Sequence, residues 1–340
     1  MLMAIFFMMA LWHSASPLTV GSNTAVSRQA NQLFTAGATN TILGFAALEN
    51  GFSLESNLTT CTYNAFFPMG GKVNMRGGQL TLARNLIFDK SFYTTSSGVI
   101  LGGSNSIEFG ATTTDLVFRD SLYFNNTSLL LNNDTRVYAL LQFGGNCKIN
   151  GRGSVLNLQN PAGIIIRPNS QLILEDVFIK NVGRTNIRCM NDGSSLTLRN
   201  SIVALNANYT FSNGSITFDE DVMITGTSVF AYTSGVGSTV NSLATLFMDH
   251  DTTFSYATRR ALNNVLTMID QTSTLFLNGC TLFSTHTGLQ IQAGTLLIED
   301  TVTFSSMAYN SGEAIDISPN VTTKIKGGSN LQIFGRLKYG

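Results

Sequence analysis

Residues 295–304 read TLLIEDTVTF. The order apolar, any, apolar, polar, then Asp or Asn is already written upstream. Leu172-Ile173-Leu174-Glu175-Asp176, Leu196-Thr197-Leu198-Arg199-Asn200 and Leu116-Val117-Phe118-Arg119-Asp120 all carry it. Aligned on the first apolar residue, Leu116, Leu172, Leu196, Ile216, Leu275 and Leu296 share one phase. Phe118, Leu174, Leu198, Phe218, Leu277 and Ile298 follow two positions later. Alternation with a period of two is a strand with one buried face. Asp120, Asp176, Asn200, Gly279 and Asp300 come next in phase, and such residues tolerate a left-handed backbone or bond their own turn. Glu220 breaks the rule, and Asp221 is expected to take that turn instead. A second apolar set, Leu122, Phe178, Ile202, Val222 and Val302, then resumes, so each unit is strand, corner, strand.

Spacing turns the unit into an architecture. Leu172 to Leu196 is 24 residues, Leu196 to Ile216 is 20 and Leu275 to Leu296 is 21. Leu246-Phe247-Met248 is a weaker copy in between. Periods of this length mark stacked repeats. Ile164-Ile165-Ile166, Ile187-Arg188-Cys189 and Leu289-Gln290-Ile291 supply a third strand for each unit. Turn-forming stretches lie between strands at Arg167–Ser170, Asn191–Ser194, Ala293-Gly294 and Gly312-Glu313. Three short strands and three turns make one triangular coil, and stacked coils place like residues ~4.8 Å apart. The expectation is an all-β, single-stranded parallel β-helix with three short strands per coil over residues 51–340. A sandwich or barrel would use Asn-Gly and Asp-Gly as hairpin turns. Such pairs occur at Asn150-Gly151, Asp192-Gly193, Asn213-Gly214 and Asn278-Gly279, but they stay locked to the repeat phase.

Composition agrees. The 340 residues hold 20 basic and 20 acidic side chains, so there is no basic footprint for nucleic acid and no acidic tail. The apolar share, 44%, is ample for a core. Leu2 to Trp12 is an apolar run followed by His13-Ser14-Ala15-Ser16-Pro17, which predicts a signal peptide over residues 1–16 although no Lys or Arg precedes it. Residues 17–50 are expected to form an N-terminal cap or linker, with a short helix near Ser27 to Phe34. The cysteines, Cys61, Cys147, Cys189 and Cys280, are far apart and read as buried free thiols. Leu331 to Gly340 still alternates apolar and polar, which predicts an uncapped last coil that pairs with a second chain end to end, with a downstream segment or with a membrane-bound partner.

A family resemblance follows from particular residues. Cys147-Lys148-Ile149-Asn150-Gly151-Arg152-Gly153-Ser154-Val155-Leu156-Asn157-Leu158 resembles the I-x-G-x-G-x-x-L coil of right-handed parallel β-helix proteins of the pectate-lyase-like class. From about Phe52 the chain is similar to secreted, repetitive bacterial β-solenoid proteins with no established activity. Ala65 to Gly71, Met75 to Leu80 and Ser273 to Leu282 resemble individual coils of those proteins. The resemblance implies a right-handed β-helix and export, and it transfers no catalytic residue.

Enzymes of that class cleave polysaccharides with Asp-bound Ca²⁺ and an Arg base, or with paired Asp residues beside a His. The nearest local cluster here is Asp249-His250-Asp251, followed by Arg259 and Arg260. Carboxylates at i and i+2 on a strand would point the same way, which makes Asp249 and Asp251 the weak catalytic candidates. The plainer reading is an exposed turn. Asp219-Glu220-Asp221 reads as a solvated corner, because side chains split across two strand faces rarely converge on Ca²⁺. His286 lies in a polar loop, and no zinc spacing, phosphate loop or serine elbow is present. No cofactor is expected. Phe118, Phe178 and Phe218 read as core, whereas Tyr93, Tyr123, Tyr138, Tyr209, Tyr232 and Tyr256 read as loop-side surface rings. Asn-x-Ser/Thr sequons begin at Asn57, Asn125, Asn126, Asn133, Asn208, Asn213 and Asn320. The expected role is a non-enzymatic secreted or cell-surface structural, adhesion or interaction module, with long loops near Tyr93–Ser97 and Ser234–Ser238. Its expected partners are surface glycans or host and partner proteins. The alternative is a polysaccharide-degrading lyase or glycoside hydrolase on the same fold.

Overall fold

The computed structural model describes short strands from Thr19 onward, and side chains for residues 80–82, 85, 94, 97–109, 116–256, 266–284, 289–306 and 315–340. Every described strand pairing is parallel, and no helix occurs among the described residues. Most strands pair with the third one after them, and the long strands Ser195–Phe211 and Ser215–Thr225 run across corners and pair with nearer ones, as expected of a chain winding round three sides of a prism.

Face I carries Gly98–Leu101, Leu122–Asn125, Leu140–Gly144, Gly163–Ile166 and Ile187–Cys189, and continues through 209–211 to Asn330–Phe334. Face II carries Asn146–Asn150, Gln171–Glu175, 195–199, 215–219, Ser238–Val240 and Leu266–Met268. Face III carries Val155–Leu158, Phe178–Arg184, 201–205, 221–225, Thr245–Met248, Thr274–Asn278, Thr295–Glu299 and Thr322–Ile325. The fold is the parallel β-solenoid with three strands per coil that the repeat predicts.

Columns of like residues fill the prism. Leu172, Leu196 and Ile216 stack on face II, while Val203, Ile224, Met248, Leu277 and Ile298 stack on face III, all buried. The phase-aligned set is thus two columns, because Leu116, Leu275 and Leu296 belong to face III. The motif encodes a strand plus a corner, and two of the three corners share one chemistry. Asp176, Asn200 and Glu220 turn face II into face III at φ of 49°, 43° and 56°. Gly279 and Asp300 turn face III into face I, both at 57°. Glu220 therefore takes the left-handed position itself, not Asp221. Backbone geometry at the corner outweighs the mild preference against Glu there.

Aromatic rings also stack between coils. Phe124 and Phe143 lie 5.3 Å apart, Phe211 and Tyr232 5.7 Å, and Phe230 and Phe254 5.7 Å. Tyr209, Tyr232 and Tyr256 are in this core, not on the surface. A tyrosine suits the interior where its hydroxyl finds a carbonyl, as Tyr209 does at Ile187 (2.8 Å) and Tyr232 at Val236 (2.5 Å). Phe178 reverses the other way and points outward, half-buried. The corners leave carbonyls without ladder partners, and buried hydroxyls meet them. Ser194 donates to Arg167 O (2.7 Å), Ser234 to Gly214 O (2.6 Å) and Thr252 to Gly226 O (2.8 Å). Gly226, at φ 113°, has no room for a Cβ, which would lie 2.2 Å from Leu205 O.

Cys147, Cys189 and Cys280 are buried free thiols, and burial pushes Cys189 and Cys280 up to about 12. Parallel pairing reaches upstream of residue 51, with Thr19–Val20 on Asn40–Ile42 and Gln32–Phe34 on Gly51–Leu54, so the end of the stretch expected as helix is strand. Phe92–Ser96, expected as a loop, is also strand. Residues 1–18, the Cys61 and Tyr93 side chains, Asn57, Arg259, Arg260, His286 and Gly312-Glu313 lie outside the described residues. On the last coil, Ile325, Ile333, Phe334 and Tyr339 are exposed.

Candidate functional site

Strand alternation points every second residue of face III outward. Registry then builds a column along the axis: Val155, Phe178, Ile202, Met223, Phe247, Phe276 and Leu297, ending at Lys324. All seven apolar members are half-buried. At ~4.8 Å per coil the stripe is about 29 Å long. Phe247 and Phe276 lie 4.6 Å apart with their planes tilted by 50°, and the Lys180 ammonium sits 4.8 Å from the Phe178 ring centre.

Two polar rows border it. Two residues before each stripe member stand Gly153, Asp176, Asn200, Asp221, Thr245, Thr274 and Thr295. Two residues after stand Asn157, Lys180, Ala204, Thr225, Asp249, Asn278 and Glu299. A shallow open depression beside Phe178 and Ile202 is edged by Arg152, Asp176 and Asn200. Asn200 donates to Asp176 (2.6 Å) along that rim.

Asp249 belongs to the second row. Thr225 Oγ1 donates to it at 3.0 Å and Asn278 Nδ2 at 3.4 Å, and His250 Nδ1 lies 3.1 Å away. The other ring nitrogen of His250 is 3.1 Å from Asp300, so the imidazole bridges two carboxylates. Only the imidazolium can donate from both nitrogens. Hydrogen bonds to Asp249 and Asp300 accordingly raise the His250 pKa. Partial burial pulls the Asp249 carboxyl up, but bonds from His250 and Thr225 outweigh it and hold the group below the usual range. Asp249 is thus an ionised anchor, a poor proton donor near neutral pH. Asp251 lies past the end of the strand, exposed and left-handed at φ 62°, with its amide on Gly279 O (3.0 Å). The described contacts of Asp249 go to His250, Thr225 and Asn278, so the structure does not join Asp249 and Asp251 as a pair.

The other acidic stretch separates. Asp219 sits on face II bonded to Arg199 (2.7 Å) and Asn241 (3.0 Å), Glu220 forms the corner, and Asp221 is exposed on the rim of face III. Among the described residues no group of three His, Cys, Asp or Glu side chains is arranged to hold a metal ion. Tyr123 is half-buried with Arg167 5.4 Å from its ring centre, and Tyr138 is exposed. Asn126 and Asn208 serve the corners, at φ 48° and as acceptor for the Val229 amide (3.1 Å) respectively.

The stripe escapes a reading that looks only for inward positions. Its signal lies in the "any" slot of the motif, which is Phe in Leu246-Phe247-Met248 and Leu275-Phe276-Leu277, and Leu in Leu296-Leu297-Ile298. Comparison with protein-family models, with curated proteins and with solved structures gives no match in any of the three.

Proposed function

We propose that the protein is a non-enzymatic, exported β-solenoid of the pectate-lyase-like kind, a secreted or cell-surface interaction module that engages its partner through face III. The observation that carries this reading is the registered apolar stripe between two polar rows. A soluble rod has no need to repeat an outward apolar residue on successive coils, and long apolar patches with polar borders mark contact surfaces. Export is supported by the apolar leader and by the I-x-G-x-G coil at Ile149 to Leu156. Surface glycans and partner proteins are the candidate occupants.

The test compares the parent chain with the Phe247→Lys/Phe276→Lys variant in a glycan-array and cell-binding screen. Both changes point outward, so the fold should survive. Loss of binding by more than about tenfold is expected from removing two central aromatic contacts. Unchanged binding would remove face III from the reading.

A second reading, a polysaccharide-degrading enzyme, rests on Asp249 beside His250 at the edge of the stripe. Incubation with pectin and other uronic-acid polymers should release no unsaturated or reducing ends. Turnover abolished by Asp249→Ala or Asp251→Ala would establish the enzyme instead.

A further inference from the structure

We infer that the occupant of face III is a second copy of this chain, laid side by side and parallel, with the two stripes in contact across a two-fold axis that runs along the solenoids. This rests on the reading of face III as an interaction surface and adds the partner to it.

The composition of the stripe favours protein over sugar. Phe247 and Phe276 are tilted by 50° and offer no coplanar platform, Phe178 is covered by Lys180, and the remaining members are aliphatic. Interlocking aliphatic and aromatic side chains are what two packed sheets use between them. The extent also fits. The stripe coils with three outward residues each present about twenty side chains, close to the 20–30 a side of a standard interface.

The polar rows choose the orientation. A half-turn about an axis parallel to the solenoid brings one row of each copy opposite the other row of its mate at the same coil height. Asp176 then faces Lys180 of the second copy. Thr245, Thr274 and Thr295 face Asp249, Asn278 and Glu299, so hydroxyl donors meet carboxylate and amide acceptors. Asp221 meets Thr225, and along the seven apolar coils no two like charges are opposed; Lys324, one coil past the stripe, faces its own counterpart only at the end of the contact. Reversing one copy end for end instead places Asp221, level with the central Met223, against its own counterpart, a like-charge contact that costs affinity. Such a contact is isologous and closes on itself as a dimer.

The experiment is sedimentation velocity on the full chain across concentrations up to about 100 µM, a range that reveals weak dimers. A two-chain species is expected. Phe276→Lys should weaken it more than about tenfold. Asp176→Lys alone and Lys180→Asp alone should each weaken it, since each opposes like charges. The double variant Asp176→Lys/Lys180→Asp should restore dimerisation to within about threefold of the parent. Circular dichroism melts on each variant establish that the coils are intact. Association untouched by Phe276→Lys but lost in Phe334→Lys would place the contact at the last coil and overturn the inference. Failure of the double variant to rescue would overturn the parallel arrangement. A monomer throughout, whose binding to cells or glycans still falls in the Phe247→Lys/Phe276→Lys variant, would discard the second copy and leave face III as an interaction surface. A monomer with no such fall would discard both.

Discussion

Faces II and III are built from the same strand spacing, yet their outer surfaces are finished differently. On face II, Asn150, Glu175, Arg199 and Asp219 stand in register, and the chain satisfies them itself. Arg199 bridges Glu175 (3.3 Å) and Asp219 (2.7 Å), Lys148 and Asn150 also reach Glu175, and Asn241 closes the ladder. Beside them Thr197, Thr217, Thr239 and Thr267 form a hydroxyl column. Face III carries apolar side chains at the equivalent outward sites, half-buried, with Lys180 lying over Phe178. One face spends its outward residues on holding coils to each other. The other leaves them for something outside the coil. A parallel solenoid can make this choice face by face, because registry copies each outward residue type up the whole column.

Substitutions should separate the two surfaces by size of effect. Inward truncations set the ceiling and should not distinguish the faces: Leu198→Ala under face II and Leu277→Ala under face III should each cost about 2–5 kcal/mol in urea unfolding. A marked inequality would mean that the two faces differ inside as well as outside. Arg199→Ala should come next, at about 1 kcal/mol, because it removes the cation that Glu175 and Asp219 share from either side in a partly exposed network. Phe247→Thr should change stability by less than about 0.5 kcal/mol, the usual range for surface sites away from such networks, while lowering binding of a hydrophobic dye. A large loss of stability there would mark the stripe as structural and blunt the contrast.

Acid response sharpens the same comparison. The Asp219 carboxyl is pulled up by partial burial, but bonds from Asn241 and Arg199 outweigh that and hold it below the usual range. Its contribution is therefore present above the ordinary carboxylate pKa and is lost as pH falls through the lowered, folded value. His250 at the edge of face III runs oppositely. Its contribution is full below the ordinary imidazole pKa and is lost as pH rises through the raised folded value. Urea midpoints measured from pH 3 to 9 should show Asp219→Asn flattening the acid limb. His250→Gln should have the smallest effect of the set, confined to the neutral-to-alkaline limb, because solvent screens that exposed imidazole.

The fold was legible because its cause is periodic. Leu172, Leu196 and Ile216 announce a column by spacing alone, and Asp176 and Asn200 announce the corners. What stayed hidden depends on which side of the prism a strand occupies. Leu275 and Leu172 look alike in the motif but sit on different faces, since two corners share one chemistry. Phe178 and Tyr209 depart from the sequence reading for a related reason: residue type suggests a buried Phe and an exposed Tyr, but strand phase decides the side. Asp249 and Asp251 look paired in the sequence because two residues apart on a strand means one face. The strand ends at Met248, so that rule stops applying there. The stripe was present in the sequence, yet an outward column becomes visible only once registry says which coils are neighbours.

The buried hydroxyls at the corners have a mechanical implication. Ser194, Ser234 and Thr252 each tie a side chain to the main chain of the preceding winding, so they act as rivets between successive layers. Replacing one with alanine should loosen a single joint without disturbing the layers to either side. Amide hydrogen exchange would then show a local breach in the rod, dividing a structure that otherwise melts together into two segments that melt apart.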